Sequence, residues 1–238
     1  MRLGFDLDGT VADMHSALAR EVRLLFPGID PASVPWSASP ESAEEQTAAT
    51  SDDTPRVSIG SLSSRQQRAM WKAVGERTNF WETLDEIEPG ALAQLYQLVQ
   101  ERRWELIFLT SRPETKGDTA QAQSYRWLKS KGYDTPSVFV VHGSRGKIAS
   151  ALALDVLVDD RPENCLDVAV DSIARPILVW RGDRDSMPGS TRQLGIGTVG
   201  SIAEVLDILK SLSRQDAEPS SLVDRLKERL GLKRKRPS

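Results

Sequence analysis

The sequence predicts an α/β protein built on a parallel sheet. Three observations carry that reading. Short apolar runs rich in Val, Ile and Leu recur along the chain, as strands buried on both faces require. Segments with helical spacing alternate with them, the pattern of right-handed crossovers. Several of the runs end in polar or acidic turns, and in parallel sheets ligands bind outside the carboxyl ends of the strands.

The first strand covers residues 3–5 and runs into Asp6-Leu7-Asp8-Gly9-Thr10. Carboxylates two positions apart share one face of an extended strand, and Gly9 lets the backbone turn sharply and approach a ligand. Acids at the end of a buried strand are costly to desolvate unless a cation or chemistry uses them. An ordinary Asp-Gly turn is the plainer alternative. A long gap follows. Within it, residues 14–26 and 64–77 carry helical patterns, which predicts a helical lid inserted directly after the acidic turn. Residues 37–61 hold no aromatic residue, five acids and one arginine, the composition of a mobile loop.

Leu92, Leu95, Tyr96 and Val99 then keep the spacing of a helix that packs one face. The second strand, 104–109, ends in Thr110-Ser111-Arg112-Pro113, where a hydroxyl and the following N–H groups could hold a phosphate oxygen. A polar turn before proline is the alternative. A helix over 119–131 leads to the third strand, 137–141. After it, His142-Gly143-Ser144-Arg145-Gly146-Lys147 opens a helix over 146–153. Lys147 in its first turn opposes the helix dipole and wants an anionic partner; a surface lysine is the alternative. The fourth strand, 154–158, ends in Asp159-Asp160-Arg161-Pro162. Adjacent acids repel unless a cation balances them, so this pair is the natural partner of Asp6 and Asp8 around Mg2+, which takes oxygen ligands. A fifth strand covers 176–180. Near the C-terminus, Leu222, Val223, Leu226 and Leu230 form a narrow apolar stripe closed by Gly231, and Lys233-Arg234-Lys235-Arg236 follows.

Composition narrows the class. The 238 residues are 39% hydrophobic and 27% charged, with a net charge of -3, so no overall basic field recruits nucleic acid. The basic tail is either a solvated end or a contact for an anionic surface, and no stable nucleic-acid partner is expected. Cys165 is the single cysteine, which excludes an intramolecular disulfide and favours a reducing compartment. No apolar run approaches the ~20 residues of a membrane span, and Asp6 and Asp8 interrupt any signal-peptide core. The expected compartment is the cytoplasm.

Taken in order, Asp6/Asp8/Thr10, Thr110, Lys147 and Asp159/Asp160 resemble the four motifs of the haloacid dehalogenase superfamily. The likeness covers residues 1–182. It implies a Rossmann-like core with sheet order 5-4-1-2-3 and a C1-type helical cap, the insertion after the first strand. The corresponding division is a core of 1–13 and 89–212, a cap of 14–88, and a C-terminal helix and tail of 213–238. Trp71, Asn79-Phe80-Trp81, Glu88-Pro89-Gly90-Ala91 and Tyr125-Arg126-Trp127 are similar to the 5′(3′)-deoxyribonucleotidases. Arg112 before Pro113, the loop at 37–61, and Met14 where an aromatic is expected depart from that group.

The resemblance implies a Mg2+-dependent phosphatase. Asp6 would be the nucleophile and Asp8 the general acid and base. Asp6, the carbonyl of Asp8, Asp159 and Asp160 would hold the metal. Gly9, Thr10, Thr110, Ser111 and Lys147 would hold the phosphate. Met14, Trp71, Phe80, Trp81 and Arg112 are candidate pocket residues, where aromatic rings could stack a nucleobase; the same rings could instead be the cap's own core. Arg112 and Arg161 could contact phosphate or sugar, or pair with Asp159. The expected substrate is a nucleoside or deoxynucleoside monophosphate, with another small phosphorylated metabolite or a non-catalytic phospholigand-binding role as alternatives.

Overall fold

The computed structural model describes residues 1–29 and 62–212. The loop expected at 37–61 and the C-terminal helix and basic tail expected at 213–238 lie outside the described residues. Six parallel strands form one sheet: β1 (Arg2–Asp6), β2 (Glu105–Thr110), β3 (Ser137–Val140), β4 (Val156–Asp159), β5 (Arg175–Val179) and β6 (Gly197–Val199). Their order is β3-β2-β1-β4-β5-β6. Read from β5 to β3 this is 5-4-1-2-3; β6, three residues long and without a clear apolar run, was not anticipated and forms the edge beyond β5.

The described helices are α1 (Met14–Leu25), α2 (Ser64–Glu76), α3 (Ala91–Arg102), α4 (Ala120–Ser130), α5 (Arg145–Ala151), α6 (Pro162–Asp171), α7 (Gly189–Gln193) and α8 (Ile202–Ser211). Side chains that stop the chain from extending start several of them. Asp13, Ser63, Thr119, Ser144 and Ser201 each accept a backbone N–H at a helix N-terminus, caps worth ~1 kcal/mol apiece. Pro162 stands in the first turn of α6, where its missing N–H costs nothing. No described helix is long and apolar enough to cross a membrane.

β1 is the sheet's centre and carries the buried Leu3 and Phe5. It pairs with β2 on one side and β4 on the other, so that Phe5 stands level with both Phe108 and Val158. That register brings the carboxyl ends of three strands together, with Asp6, Thr110 and Asp159 at one edge of the sheet.

The segment between β1 and β2 leaves and returns at this same edge. Asp13 N–H donates to the Asp85 carbonyl at 2.9 Å and Ile87 N–H to the Val11 carbonyl at 3.0 Å, so both crossings are zipped side by side. Its second half is fastened to the core. Trp81 Nε1 donates to the Pro113 carbonyl at 2.9 Å, Trp127 Nε1 on α4 donates to the Leu84 carbonyl at 2.7 Å, and Gln123 accepts the Trp81 N–H at 3.0 Å.

Candidate active site

Four strand ends build the site. The turn after β1 is shaped by Gly9, whose φ of +84° is a left-handed conformation that favours glycine. The crowding is as decisive as the dihedral: a Cβ on Gly9 would stand 2.2 Å from Asp160 Oδ2. Gly9→Ala is therefore expected to displace Asp160 and to lower stability by about 1–2 kcal/mol, read by a thermal melt. A melt equal to wild type would refute the close approach. Arg181, beyond β5, secures the same turn. It donates to the carbonyls of Gly9 at 2.8 Å and Thr10 at 3.1 Å while pairing with Glu88 at 2.7 Å. Glu88 in turn accepts the N–H of Ile202 at the start of α8.

Three carboxylates and one guanidinium make up the centre. Asp6 is 5% exposed, Asp159 is fully buried, and Asp160 lies beside them. Burial pushes the Asp6 carboxyl well up, reinforced by Asp159. Burial also pushes Asp159 up to about 7, reinforced by Asp160, and Asp160 up to about 7, reinforced by Asp6. Arg145, 4% exposed, answers this charge. Its Nη2 donates to Asp6 Oδ1 at 3.1 Å and to Ser111 Oγ at 3.0 Å, and its Nε lies 3.8 Å from Asp159 Oδ2. Asp159 is held from its other side by the Arg161 N–H at 2.9 Å and by Asn164 Nδ2 at 3.0 and 2.9 Å. Thr10 Oγ1 donates to Asp160 at 3.1 Å.

Two expected phosphate-binding hydroxyls are engaged within the protein. Thr110 Oγ1 donates to Asp8 Oδ2 at 2.9 Å, and Ser111 Oγ donates to the Val141 carbonyl at 3.0 Å. Arg112 is the surprise of the second motif. It does not reach Asp159 but pairs with Asp8, from Nη2 at 2.7 Å and from Nε at 2.9 and 3.0 Å. Arg161, the other undecided cation, pairs with Glu163.

The third motif holds two cations, and the structure places them differently. Lys147 is exposed, and only its backbone N–H is engaged, by Ser144 Oγ. Ser144 caps α5 and so places Arg145 at the first helical position, turned inward onto Asp6, with Lys147 turned outward. The sequence offered both cations two residues apart, and only the direction in which α5 docks separates them.

The candidate pocket aromatics are largely buried. Trp81 is fully buried and Phe80 is 4% exposed. Their rings meet edge-on at 5.1 Å inside the core. Met14 is buried in the same core and Trp71 packs against it. Met14, Phe80 and Trp81 belong to the apolar interior shared by the inserted segment and the sheet, with the half-buried Trp71 at its margin.

The donors suit a hard cation. Asp6, Asp159 and Asp160 offer carboxylate oxygens, and Gly9 makes room beside Asp160. Arg145 Nε is buried there without a hydrogen-bond partner. Among the described residues no group of three or more His, Cys, Asp or Glu side chains forms a ready-made metal cage.

No protein-family model and no curated protein matches this chain. Solved structures do match its fold. One is a candidate β-phosphoglucomutase from Thermotoga maritima, 18% identical with a TM-score of 0.52, covering 90% of this chain and 100% of that one. Another is a candidate phosphoglycolate phosphatase from Lactobacillus delbrueckii subsp. bulgaricus, 13% identical with a TM-score of 0.52, covering 87% and 97%. A third is a dehalogenase in an intermediate complex, 14% identical with a TM-score of 0.51, covering 89% and 97%. At these identities the likeness is one of fold.

Proposed function

We propose that this chain is a phosphomonoester hydrolase of the haloacid dehalogenase type, working through an aspartyl-phosphate on Asp6. The observation that carries the reading is the convergence of Asp6, Asp8, Thr110 and the Asp159–Asp160 pair at adjoining strand ends, with buried Arg145 facing Asp6 and Asp159 and buried Arg112 gripping Asp8. Two of the proteins sharing its fold are named for phosphate-ester chemistry. The third, a dehalogenase, shares the scaffold, but in the superfamily the motifs resemble, dehalogenases lack an acid at the position of Asp8, so its presence favours phosphoryl transfer. In this reading residues 1–13 and 89–212 are the catalytic core and 14–88 stand in the place of a C1-type cap.

Each residue then has a task. The Asp6 carboxylate attacks phosphorus and the bond to the leaving oxygen breaks, giving the acyl phosphate. Asp8 gives a proton to the departing alcohol and later takes one from the water that cleaves the acyl phosphate. Arg145 and, once released from Asp8 and the Val141 carbonyl, the hydroxyls of Thr110 and Ser111 would hold the transferred group's oxygens, where charge gathers. Asp6, Asp159, Asp160 and the carbonyl of Asp8 would hold Mg2+, which offsets the repulsion between a carboxylate nucleophile and a phosphate dianion.

The acids give this reading a signature in pH. Asp159 and Asp160 titrate at about 7 in the folded chain against an ordinary 3.8. The folded state therefore binds more protons than the unfolded state between these values. Its stability is greatest below the unfolded value and is lost as pH rises through about 7. Without Mg2+, the melting temperature is expected to fall from pH 5.5 to pH 8. Added Mg2+ should raise it more at pH 8, where the acids are ionised, than at pH 5.5. A larger gain at pH 5.5 would contradict these carboxylates as ligands.

The substrate class proposed is a small phosphomonoester. The nucleoside monophosphate expectation rested on the likeness of Trp71, Asn79-Phe80-Trp81, Glu88-Pro89-Gly90-Ala91 and Tyr125-Arg126-Trp127 to the 5′(3′)-deoxyribonucleotidases; the burial of Phe80 and Trp81 leaves those two rings no face for stacking a base. The test is phosphate release with Mg2+ across nucleoside monophosphates, sugar phosphates and short phosphorylated acids. Turnover of any of these, lost in Asp6→Asn, supports the hydrolase. Preference for nucleotides would restore the nucleotidase reading. No release above the Asp6→Asn background would shift weight to a phospholigand-binding role.

A further inference from the structure

We propose that Arg112 is the positioning residue for Asp8, holding the carboxylate that exchanges protons with the leaving group. This rests on the phosphatase reading. Arg112 is 2% exposed, and a buried guanidinium is costly unless each of its donors is used. Its fork grips both Asp8 oxygens, with Nη2 and Nε on Oδ1 at 2.7 and 3.0 Å and Nε on Oδ2 at 2.9 Å. Its other arm, Nη1, donates to Ser124 Oγ at 2.9 Å, and Ser124 itself donates to the Ala120 carbonyl at 2.7 Å in the first turn of α4. The guanidinium also lies over two indole rings, 5.0 Å from the centroid of Trp81 and 5.7 Å from that of Trp127, contacts that favour a cation and resist its displacement.

The need for such a clamp follows from where Asp8 sits. Asp6 belongs to β1, and its backbone is held by the ladder. Asp8 lies beyond the strand in the turn opened by Gly9, where an isolated bridge to Ala12 holds its backbone and leaves the side chain unoriented. The single bond from Thr110 to Oδ2 leaves the carboxylate plane free to rotate about that contact. A planar, two-pronged partner removes that freedom. Arg112 also ties Asp8 to the inserted segment, since Trp81 supplies one of its two aromatic walls.

Because Arg112 acts through Asp8, its loss should depend on the leaving group. An ester that departs as a poor leaving group needs a placed proton donor; p-nitrophenolate hardly does. The quantity to read is kcat/KM, which covers steps up to departure of the first product. For Arg112→Ala we expect kcat/KM for glycerol phosphate to fall by about 10²-fold or more, the scale of general acid catalysis. For p-nitrophenyl phosphate the fall should stay under about tenfold. Guanidinium ion should restore part of the glycerol phosphate rate. Arg112→Lys keeps the charge but loses the fork, so it should show the same bias at smaller size; it decides the matter alone if Arg112→Ala does not fold. Equal losses on both esters in a variant that melts cooperatively would overturn the inference and leave the hydrolase reading standing. A wild-type protein that releases phosphate from neither of these esters nor from any member of the wider panel would overturn both.

Discussion

Asp6→Asn abolishes phosphate release while the protein stays folded. The amide keeps the shape of the carboxylate but cannot form the acyl phosphate, so the loss should be on the order of 10⁴-fold or more, the scale seen when a covalent nucleophile is removed. Stability should move the other way. Asp6 is buried with its carboxyl pushed up by desolvation and by Asp159, so a neutral side chain relieves repulsion among the three acids. The pairing with Arg145 at 3.1 Å is weakened by the same change, which limits the gain. The measurement is phosphate release together with a melt without Mg2+ at pH 8. An Asp6→Asn protein that melts like wild type or above it and still turns over would remove Asp6 as the nucleophile. One that loses activity only because it unfolds would leave the role of Asp6 open to the milder Asp6→Glu.

The second large effect belongs to Arg145. Arg145→Met removes the cation that faces Asp6 at 3.1 Å and Asp159 at 3.8 Å, both almost wholly buried. Breaking a buried pair by deleting one partner typically costs about 3–5 kcal/mol, or roughly 6–20 °C in melting temperature for a chain of this size. The cost should be greatest at pH 8 and shrink toward pH 5, because protonated acids no longer need the cation. Mg2+ should recover part of it. Phosphate release should also fall, since Arg145 stands beside Ser111 where the phosphoryl oxygens would lie. Lys147→Met is the companion: as an exposed side chain it should change stability by no more than about 0.5 kcal/mol. If Lys147→Met were the damaging substitution and Arg145→Met were mild, the inward placement of Arg145 would be wrong.

Much of this architecture was legible from local chemistry. Apolar runs of the right length marked β1 to β5, and helical patterns marked α1 to α5, because periodicity is a property of neighbouring residues. The acidic turns were legible for the same reason. Asp6, Asp8, Asp159 and Asp160 are acids at the ends of buried strands, where desolvation makes them conspicuous. β6 was not legible: three residues pairing only with β5 leave no apolar run to read. The phosphoryl-transfer expectation drew on the resemblance of the ordered motifs, beyond what any one turn could specify.

From local sequence came the succession of β1 to β5 and α1 to α5 and the identity of the acids that meet at the carboxyl edge of the sheet. Tertiary structure alone decided which cation answers those acids, which partner Arg112 takes and whether Phe80 and Trp81 face a ligand or the core. Arg145 and Lys147 are two residues apart on one helix, and the docking of α5 turns one inward and the other out. Arg112 meets Asp8, 104 positions away along the chain, because β1 and β2 lie side by side in register. The physical reason is common to all three. Propensity and capping act over a few residues, whereas the partner of a buried charge or ring is chosen by packing between segments far apart in sequence, where desolvation leaves no room for an unpaired alternative.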